Sequence, residues 1–371
     1  PQGDTLMPAI SVMLKPASSL CNMRCKYCFY HSLAAQRSAP SHGMMSEETL
    51  KNVIAKALDY ADGAPVALSF QGGEPLLAGK GFFVKAEELI RTLNVKRSPV
   101  SVGVQTNGTL LDEEWCRMFT RFGWLVGLSL DGDRSMNAMR VFADGTPSFD
   151  AVYAAAKLLD RNRTQFNILT VLTRPVAENI ERVYAFFRRN KFRHLQFIPV
   201  LRPLRRAGED AATEEADEDI CLTPAAYLNF LKKAFSLYMK DMIDGRYTSI
   251  RQFDNFVQLA SFRRAEQCGM NGGCSQQFVV EGDGAVYPCD FYCLDEYLAG
   301  NINRMSFREL AESPAAVRFL EEGSALPEKC GSCKYLRMCN GGCKRERIDL
   351  DKCEAYAGFF DYALPHMKRM S

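Results

Sequence analysis

Short apolar runs alternate with longer amphipathic stretches through the first two thirds of the chain. The apolar runs predict six strands, at Ile10–Leu14, Val66–Phe70, Ser101–Gln105, Leu125–Leu130, Phe166–Leu172 and His194–Pro199. Between them, apolar residues at helical spacing predict helices at Ser46–Tyr60, Phe82–Leu93, Asp112–Phe122, Phe149–Arg161 and Val176–Asn190. Strands that alternate with helices form a parallel sheet with right-handed crossovers. Because six units are too few for an eight-stranded barrel, we predict an α/β fold that closes as a partial (β/α)6 barrel.

A polar segment follows each of the first four predicted strands. These segments lie at Cys21–Cys28, Gln71–Pro75, Thr106–Gly108 and Ser129–Gly132. Barrels of this kind carry their sites at the carboxyl ends of their strands. Each segment alone is also typical of an ordinary turn. Their shared position at strand ends predicts one common site.

Composition excludes several classes of function. The chain has 371 residues, of which 47% are hydrophobic, and this length suffices for two or three domains. Its 46 basic and 44 acidic residues give a net charge of +2, so no overall field attracts nucleic acid. The sequence has neither an apolar run of membrane-spanning length nor a secretory signal. We therefore expect a cytoplasmic protein without a nucleic-acid or membrane partner.

The first cysteine cluster places Cys21, Cys25 and Cys28 at Cys-x3-Cys-x2-Cys spacing. Thiolates are the usual protein ligands of iron–sulfur clusters, and electron-transfer clusters take four of them. Three ligands on a four-iron cluster leave one iron open to a substrate. The alternatives are a zinc site completed by His31 and a disulfide, which a cytosolic chain disfavours.

A second cluster of cysteines begins at Cys268. It supplies eight thiolates, enough for two clusters with four ligands each: Cys268, Cys274, Cys289, Cys330, Cys333, Cys339, Cys343 and Cys353. A zinc ribbon that uses Cys330, Cys333, Cys339 and Cys343 is the competing interpretation. The other three cysteines, Cys116, Cys221 and Cys293, are interpreted as core or loop thiols.

The charge pattern of the chain changes between the two groups of cysteines. A basic patch at Arg202–Arg206 precedes the acidic run Glu209–Asp219, and this pattern predicts a solvated loop. Thr223 and Pro224 then predict the start of a helix that runs to Asp244. We expect this helix to link the two cluster-bearing parts.

The first cysteine loop and Gly72-Gly73-Glu74-Pro75 resemble the motifs of radical S-adenosylmethionine (SAM) enzymes. In that family the open iron chelates the amino acid end of SAM. The resemblance implies that Gly72, Gly73 and Glu74 bind the SAM ammonium through backbone carbonyl and carboxylate. It further implies SAM contacts at Tyr27, at Ser129 for the ribose, at Arg140 for the carboxylate and at Leu201 around the adenine.

The later cysteines resemble the SPASM domain, which holds auxiliary clusters in radical SAM enzymes that modify peptides and proteins. This resemblance assigns the first auxiliary cluster to Cys268, Cys274, Cys289 and Cys343. It assigns the second to Cys330, Cys333, Cys339 and Cys353. We therefore expect SAM and three [4Fe-4S] clusters, in a barrel at residues 7–222, a helical linker at 223–262 and a SPASM domain at 263–371.

Further motifs resemble the anaerobic sulfatase-maturating enzymes, at Cys28–His31, Ser249–Arg251, Cys268–Gly272 and Tyr287–Tyr292. Those enzymes oxidise a Cys or Ser of a sulfatase, within Cys/Ser-x-Pro-x-Arg, to Cα-formylglycine. The resemblance implies that Asp290 is the base, although an aspartate here is also typical of a turn. Tyr30 and Gln71 are candidates for positioning substrate and base. The expected partners are a sulfatase or peptide substrate and a flavodoxin- or ferredoxin-like electron donor.

Two alternative functions remain open. The first is a radical SAM maturase of a ribosomal peptide, which forms thioether or carbon–carbon crosslinks and usually carries a small peptide-binding domain ahead of the cysteine loop. Only a few residues precede the first predicted strand here. The second is an electron carrier or iron–sulfur scaffold, which has no need of an open three-cysteine site.

Overall fold

The computed structural model describes residues 9–204 and 219–369. Within these residues one mixed sheet has ten strands in the order β10-β9-β8-β1-β2-β3-β4-β5-β6-β7. The strands are β1 Ile10–Leu14, β2 Val66–Phe70, β3 Val100–Thr106, β4 Leu125–Ser129, β5 Phe166–Leu172, β6 His194–Pro199, β7 Ser249–Ile250, β8 Phe278–Val280, β9 Ala285–Tyr287 and β10 Gly300–Asn301. Neighbours from β1 to β7 are parallel, so the carboxyl ends of β1 to β6 lie at one edge, as predicted.

The helices begin where the sequence supplies caps. Side chains of Ser46, Asp112, Thr173 and Thr223 each accept a hydrogen bond from a backbone N–H of the following first turn. The α-helices are α1 Phe29–Ala35, α2 Glu47–Ala61, α3 Gly79–Leu93, α4 Glu113–Phe122, α5 Phe149–Arg161, α6 Arg174–Glu178, α7 Ile180–Arg189, α8 Pro224–Ile243, α9 Arg251–Ala260, α10 Phe307–Ala311, α11 Pro314–Ser324, α12 Leu336–Cys339, α13 Lys344–Asp349 and α14 Cys353–Met367.

One predicted helix is two helices in the structure. The stretch Val176–Asn190 divides at Asn179, which has φ −105° and ψ 25° and ends α6 before α7 begins. Thr173 caps α6 and places its start earlier than the apolar spacing indicated. The buried face of α7 still follows the predicted period, with Ile180, Val183 and Phe187 fully covered.

The C-terminal segment is built onto the same sheet as the barrel. Strand β8 pairs in parallel with β1, so that Val12 lies opposite Phe278 and Leu14 opposite Val280. The backbone N–H of Lys15 donates to the carbonyl of Val280 at 2.8 Å, which continues this pairing past the end of β1. The structure thereby brings the segment after β9 beside the carboxyl end of β1.

The region predicted as a linker, residues 223–262, packs against both the sheet and the last helix. Strand β7 and helix α9, both inside the predicted linker 223–262, contact β6. Helix α8 packs on α14, where the rings of Phe235 and Phe359 are 5.5 Å apart.

The predicted solvated loop Glu209–Asp219 lies, apart from Asp219, outside the described residues. Among the helices that are described, none has the length and apolar character needed to span a bilayer.

Candidate functional site

Three thiols of one loop lie between β1 and α1. Cys21 and Cys28 are exposed and Cys25 is partly exposed. The backbone N–H of Cys28 donates to the carbonyl of Cys25 at 3.1 Å, and Cys28 directly precedes α1. A cavity of about 410 Å³ opens beside this loop and is lined by Cys25, Tyr27, Cys28, Leu201 and Cys221. Three thiols on one accessible loop fit the predicted cluster with one open iron.

The Gly72-Gly73 turn holds the second segment against the cysteine loop. Gly73 has φ +51°, and a Cβ added there would lie 2.0 Å from the carbonyl oxygen of Leu20. A Cβ on Gly72, at φ +104°, would meet Cγ of Lys15 at 2.8 Å. Only glycine permits this approach of the backbone without displacing its neighbours.

Glu74 connects the ends of two strands. Its fully buried carboxylate accepts hydrogen bonds from the Leu76 N–H at 3.0 Å, the Thr106 hydroxyl at 2.8 Å and the Asn107 N–H at 2.8 Å. Burial raises the pKa of Glu74 to about 7. The carboxylate therefore fixes the ends of β2 and β3 relative to each other, and its contact with SAM stays a prediction.

Tyr27, Asp131 and Arg140 form one hydrogen-bonded group, in which Asp131 and Arg140 are buried. Arg140 donates to both carboxylate oxygens of Asp131, at 2.9 and 3.0 Å, and the Tyr27 hydroxyl donates to the same carboxylate. Asp131 also accepts from the Val171 N–H at 2.9 Å. Sequence reasoning missed Asp131 as the partner of Arg140. The guanidinium of Arg140 is therefore already paired with a carboxylate, and its contact with SAM stays a prediction.

The ribose candidate Ser129 lies at the end of β4. Its hydroxyl accepts a hydrogen bond from Gln105 Nε2 at 2.9 Å. Gln105 lies over Gly127, where an added Cβ would meet Gln105 Oε1 at 2.2 Å. Ser129 is thus held by a neighbouring strand, and its contact with SAM also stays a prediction.

The three predicted catalytic residues converge. Asp290, only 5% exposed, accepts a hydrogen bond from the Tyr30 hydroxyl at 2.6 Å through Oδ1. Gln71 Nε2 donates to Oδ2 at 3.0 Å. The three residues come from the start of α1, the end of β2 and the segment after β9, and they define one carboxylate held at both oxygens.

Sequence reasoning missed Lys15, which completes the surroundings of Asp290. Its fully buried Nζ lies 3.0 Å from Asp290 Oδ1 and 3.1 Å from Cys293 Sγ. It also lies 3.9 Å from the centroid of the Tyr30 ring. Burial alone lowers the pKa of Lys15, but the acidic groups around it outweigh burial and raise that pKa above its usual value. The available signal was a lysine directly after an apolar strand.

The cavity beside Asp290 is also lined by the four cysteines that are predicted to hold the first auxiliary cluster. It has a volume of about 450 Å³ and is lined by Gln71, Asp290, Cys268, Cys274, Cys289 and Cys343. Glycines make room for two of these thiols. A Cβ on Gly323 would lie 2.4 Å from Cys274 Sγ, and one on Gly269 would lie 2.9 Å from Cys343 Cβ. A four-thiol donor set in one cavity fits a [4Fe-4S] cluster.

A second cavity, of about 500 Å³, brings together the remaining predicted ligands. Its lining includes Cys330, Cys333, Cys339, Cys343 and Cys353. Cys343 lines both cavities and so stands between the two donor sets. This arrangement fits the predicted division of the eight cysteines into two sets of four. The division itself stays a prediction.

Of the three unassigned cysteines, Cys116 is buried in the core around α4. Cys221 is buried and lines the cavity beside the first cysteine loop. Cys293 is fully buried, and its contact with Lys15 places it next to the Asp290 group.

Two family models match the chain. The Radical SAM superfamily matches residues 16–187, and SPASM, an iron–sulfur cluster-binding domain, matches residues 251–334. These matches contain the first cysteine loop and five of the eight later cysteines. They confirm the predicted fold class of a radical SAM domain followed by a SPASM domain.

Known proteins are similar over nearly the whole chain. A cysteine-type anaerobic sulfatase-maturating enzyme of Clostridium perfringens (strain 13) is 40% identical over 370 residues, covering 97% of this chain and 98% of the relative. A serine-type enzyme of Bacteroides thetaiotaomicron is 30% identical over 378 residues, covering 97% and 90%. A solved structure of native anSMEcpe with bound AdoMet and Cp18Cys peptide has a TM-score of 0.90 at 39% identity, covering 98% of this chain and 99% of the other.

Proposed function

Since the chain belongs to the family of anaerobic sulfatase-maturating enzymes, which are radical SAM enzymes, we propose that it oxidises a cysteine of a sulfatase to Cα-formylglycine. The observation that carries this proposal is the Asp290 carboxylate, held by Tyr30 and Gln71 beside a cavity lined by four cysteines. Cysteine rather than serine is proposed because the cysteine-type relative is 40% identical and the serine-type relative 30%.

The proposed cofactors are SAM and three [4Fe-4S] clusters. Cys21, Cys25 and Cys28 would hold the cluster next to SAM, and the two later cysteine sets would hold the auxiliary clusters. Bound SAM and the reduced cluster at Cys21, Cys25 and Cys28 would supply the one-electron chemistry that removes a hydrogen atom from the β-carbon of the target residue. The Gly72-Gly73 turn, Tyr27, Ser129, Arg140 and Leu201 are the proposed SAM contacts.

Asp290 acts as the general base of the proposed reaction. A target thiol that enters the cavity within hydrogen-bond distance of the carboxylate loses its proton to it. Loss of that proton, of the β-hydrogen atom and of one electron converts the CH2–SH group into a thioaldehyde, which water hydrolyses to the aldehyde and hydrogen sulfide. Tyr30 and Gln71 keep the carboxylate oriented, because each donates to one of its oxygens.

Clusters held by the two later cysteine sets would supply an acceptor for the electron that leaves the target. The two cavities meet at Cys343, and the cavity farther from Asp290 includes the exposed thiols Cys333 and Cys353. We propose that the substrate is a sulfatase carrying Cys-x-Pro-x-Arg and that the donor for the SAM cluster is flavodoxin- or ferredoxin-like. We further propose that the protein acts in the cytoplasm.

Anaerobic reconstitution is expected to load about twelve irons per chain, because eleven thiolates form one three-ligand and two four-ligand sets. Iron and sulfide analysis with Mössbauer spectroscopy measures this. Replacing Cys330 and Cys333 together with Ala is expected to remove about four of these irons, a single cluster. Zinc bound by the wild-type chain at Cys330–Cys343, or iron for one cluster alone, contradicts the assignment.

A peptide containing Cys-x-Pro-x-Arg is expected to be converted to formylglycine at least about tenfold faster than its serine counterpart, a barrier difference of ~1.4 kcal/mol. A thiol gives up its proton to a carboxylate more readily than a hydroxyl does, since its ordinary pKa is only about 8.5. Mass spectrometry of both peptides after reaction with SAM and reductant measures the conversion. Cleavage of SAM with neither peptide modified would favour the peptide-crosslinking alternative instead.

A further inference from the structure

The motif Ser249–Arg251 has no role in the reaction proposed above. In the structure, its first two residues hold the chain in place. Ile250 is fully buried and pairs with β6, and the Ser249 hydroxyl donates to Asp254 in the first turn of α9 at 2.5 Å. Because Arg251 is the first residue of α9, these contacts fix its position beside β6.

The side chain of Arg251 lines the same cavity as Asp290. Its Nη1 donates to Gln196 Oε1 at 3.3 Å, and its Nη2 lies 3.5 Å from Glu266 Oε1. Its buried Nε has no hydrogen-bond partner among the residues that the structure describes. A guanidinium donates through five N–H groups, so this side chain keeps a charged donor for an oxygen atom of a ligand.

Amide side chains from three strands line this cavity, namely Gln105 of β3, Asn167 of β5 and Gln196 of β6. Gln105 donates to the Ser129 hydroxyl at 2.9 Å, and Gln196 accepts from Arg251. The buried Oδ1 of Asn167 has no hydrogen-bond partner in the described part of the chain. Buried polar atoms normally have such a partner, because burial without one costs free energy.

Asn167 and the pair of Gln196 and Arg251 belong to one wall of the cavity. Leu169 of β5 lies opposite Gln196 of β6, and Asn167 precedes Leu169 by two residues. Residues two apart on a strand point to the same face of the sheet, so Asn167 and Gln196 share a face on adjacent strands. The wall therefore carries an unpartnered acceptor on β5 and an unpartnered donor beside β6.

We propose that Asn167 and Arg251 form a backbone clamp that holds one peptide group of the substrate. A peptide group is complementary to this pair, since its N–H donates to the amide oxygen of Asn167 and its carbonyl accepts from the guanidinium of Arg251. The clamp fixes the main chain of the substrate in the cavity and thereby sets the place of the target side chain. This inference rests on the proposed function, because it takes a segment of a protein as the substrate.

The proposed substrate sequence limits which peptide group the clamp can hold. In Cys-x-Pro-x-Arg the bond before proline has no N–H and cannot donate to Asn167. The residue before proline favours an extended backbone, in which the other peptide groups have no hydrogen bonds within the segment. We therefore expect the clamp to hold a peptide group on one side or the other of that bond.

The variants Arg251→Met and Asn167→Leu each remove one half of the clamp and keep nearly the same side-chain size. Arg251→Met is expected to lower kcat/KM for formylglycine formation at least about tenfold, because it loses a hydrogen bond from a charged group. Asn167→Leu loses a neutral hydrogen bond and is expected to lower kcat/KM roughly two- to tenfold. In both variants KM is expected to change more than kcat. Mass spectrometry over a range of peptide concentrations measures this, and iron content shows that each variant is folded.

Peptides in which one amide at a time is replaced with an ester identify the clamped group. An ester has no N–H, and its carbonyl is a weaker acceptor than that of an amide. At one position the ester is expected to lower the wild-type kcat/KM about tenfold but that of the double variant Asn167→Leu, Arg251→Met less than about twofold, because the double variant already lacks both hydrogen bonds. A purely structural role of the two residues would not depend on the position of the ester. Equal ester effects in the two proteins at every position, or no effect in the wild type, would overturn the inference.

The matched control is Arg263→Met, which removes an exposed arginine shortly after α9 that does not line the cavity. It is expected to keep the kcat/KM and the ester effects of the wild type. If the double variant fails to hold iron, the ester series with Asn167→Leu alone decides. The sensitive position is expected to lose most of its effect in that variant, and a full effect there overturns the inference.

The wild-type yield of formylglycine from the all-amide peptide tests the proposed function by itself. A wild-type chain that makes none removes the proposed function and the clamp with it. A normal wild-type yield together with either overturning result of the ester series removes the clamp and leaves the proposed function standing.

Discussion

Replacing Asp290 with Asn is expected to lower formylglycine formation by ~10²–10⁴-fold, the usual cost of losing a general base. Asn has nearly the same shape as Asp and keeps one acceptor oxygen for the Tyr30 hydroxyl. It has no carboxylate to take the proton of the target thiol. SAM cleavage needs no such base, so 5′-deoxyadenosine is expected to form at nearly the wild-type rate. Mass spectrometry of the Cys-x-Pro-x-Arg peptide measures the loss.

A matched control is Asp283→Asn, which neutralises a half-exposed carboxylate in the same part of the chain. It is expected to leave both products unchanged, since Asp283 contacts His42 and does not line the cavity of Asp290. Normal formylglycine from Asp290→Asn would remove Asp290 from the mechanism, with the fold assignment intact.

Replacing Cys21, Cys25 and Cys28 together with Ala is expected to abolish reductive cleavage of SAM. The three thiols form one loop and are the proposed ligands of the cluster that binds SAM. Iron content is expected to fall by about a third, since two of the three clusters keep their ligands. Chromatographic measurement of 5′-deoxyadenosine tests this directly.

The control for this loop is Cys116→Ala, which removes a thiol buried in the core around α4. Its cleavage of SAM and its iron content are expected to match those of the wild-type chain. If the triple variant still forms 5′-deoxyadenosine at the normal rate, the loop does not hold the SAM cluster.

Local patterns predicted the barrel well because each strand is short, apolar and followed by a polar segment. The predicted strand Ile10–Leu14 is β1 with the same bounds, with Val12 and Leu14 fully buried. Tyr30 and Gln71 flank the predicted SAM-binding motifs and were predicted to position the base, and the family resemblance named Asp290 as that base. In the structure the three residues share hydrogen bonds. The segments after the parallel strands could be grouped from the sequence because side chains at the carboxyl ends of parallel strands meet at one edge.

Other features depend on contacts between distant parts of the chain. Strand β8 has three residues, too few to show a period of its own, and its pairing with β1 joins Val12 to Phe278. A fully buried lysine is rare, so the sequence offered no reason to include Lys15 among the site residues. The pairing of Arg140 with Asp131 could not be predicted because the sequence does not show which carboxylate a guanidinium will face.

The pairing of β8 with β1 limits how the sequence of the C-terminal part can vary in length. Asp290 is reached from β8 through the hairpin of β8 and β9, and its distance from Gln71 and Tyr30 follows from the alignment of Leu14 with Val280. A slip of one residue would move this segment by about 3.3 Å and turn its side chains to the opposite face. Insertions or deletions in this hairpin are therefore tolerated far less than substitutions, even though the hairpin itself contains no cluster ligand.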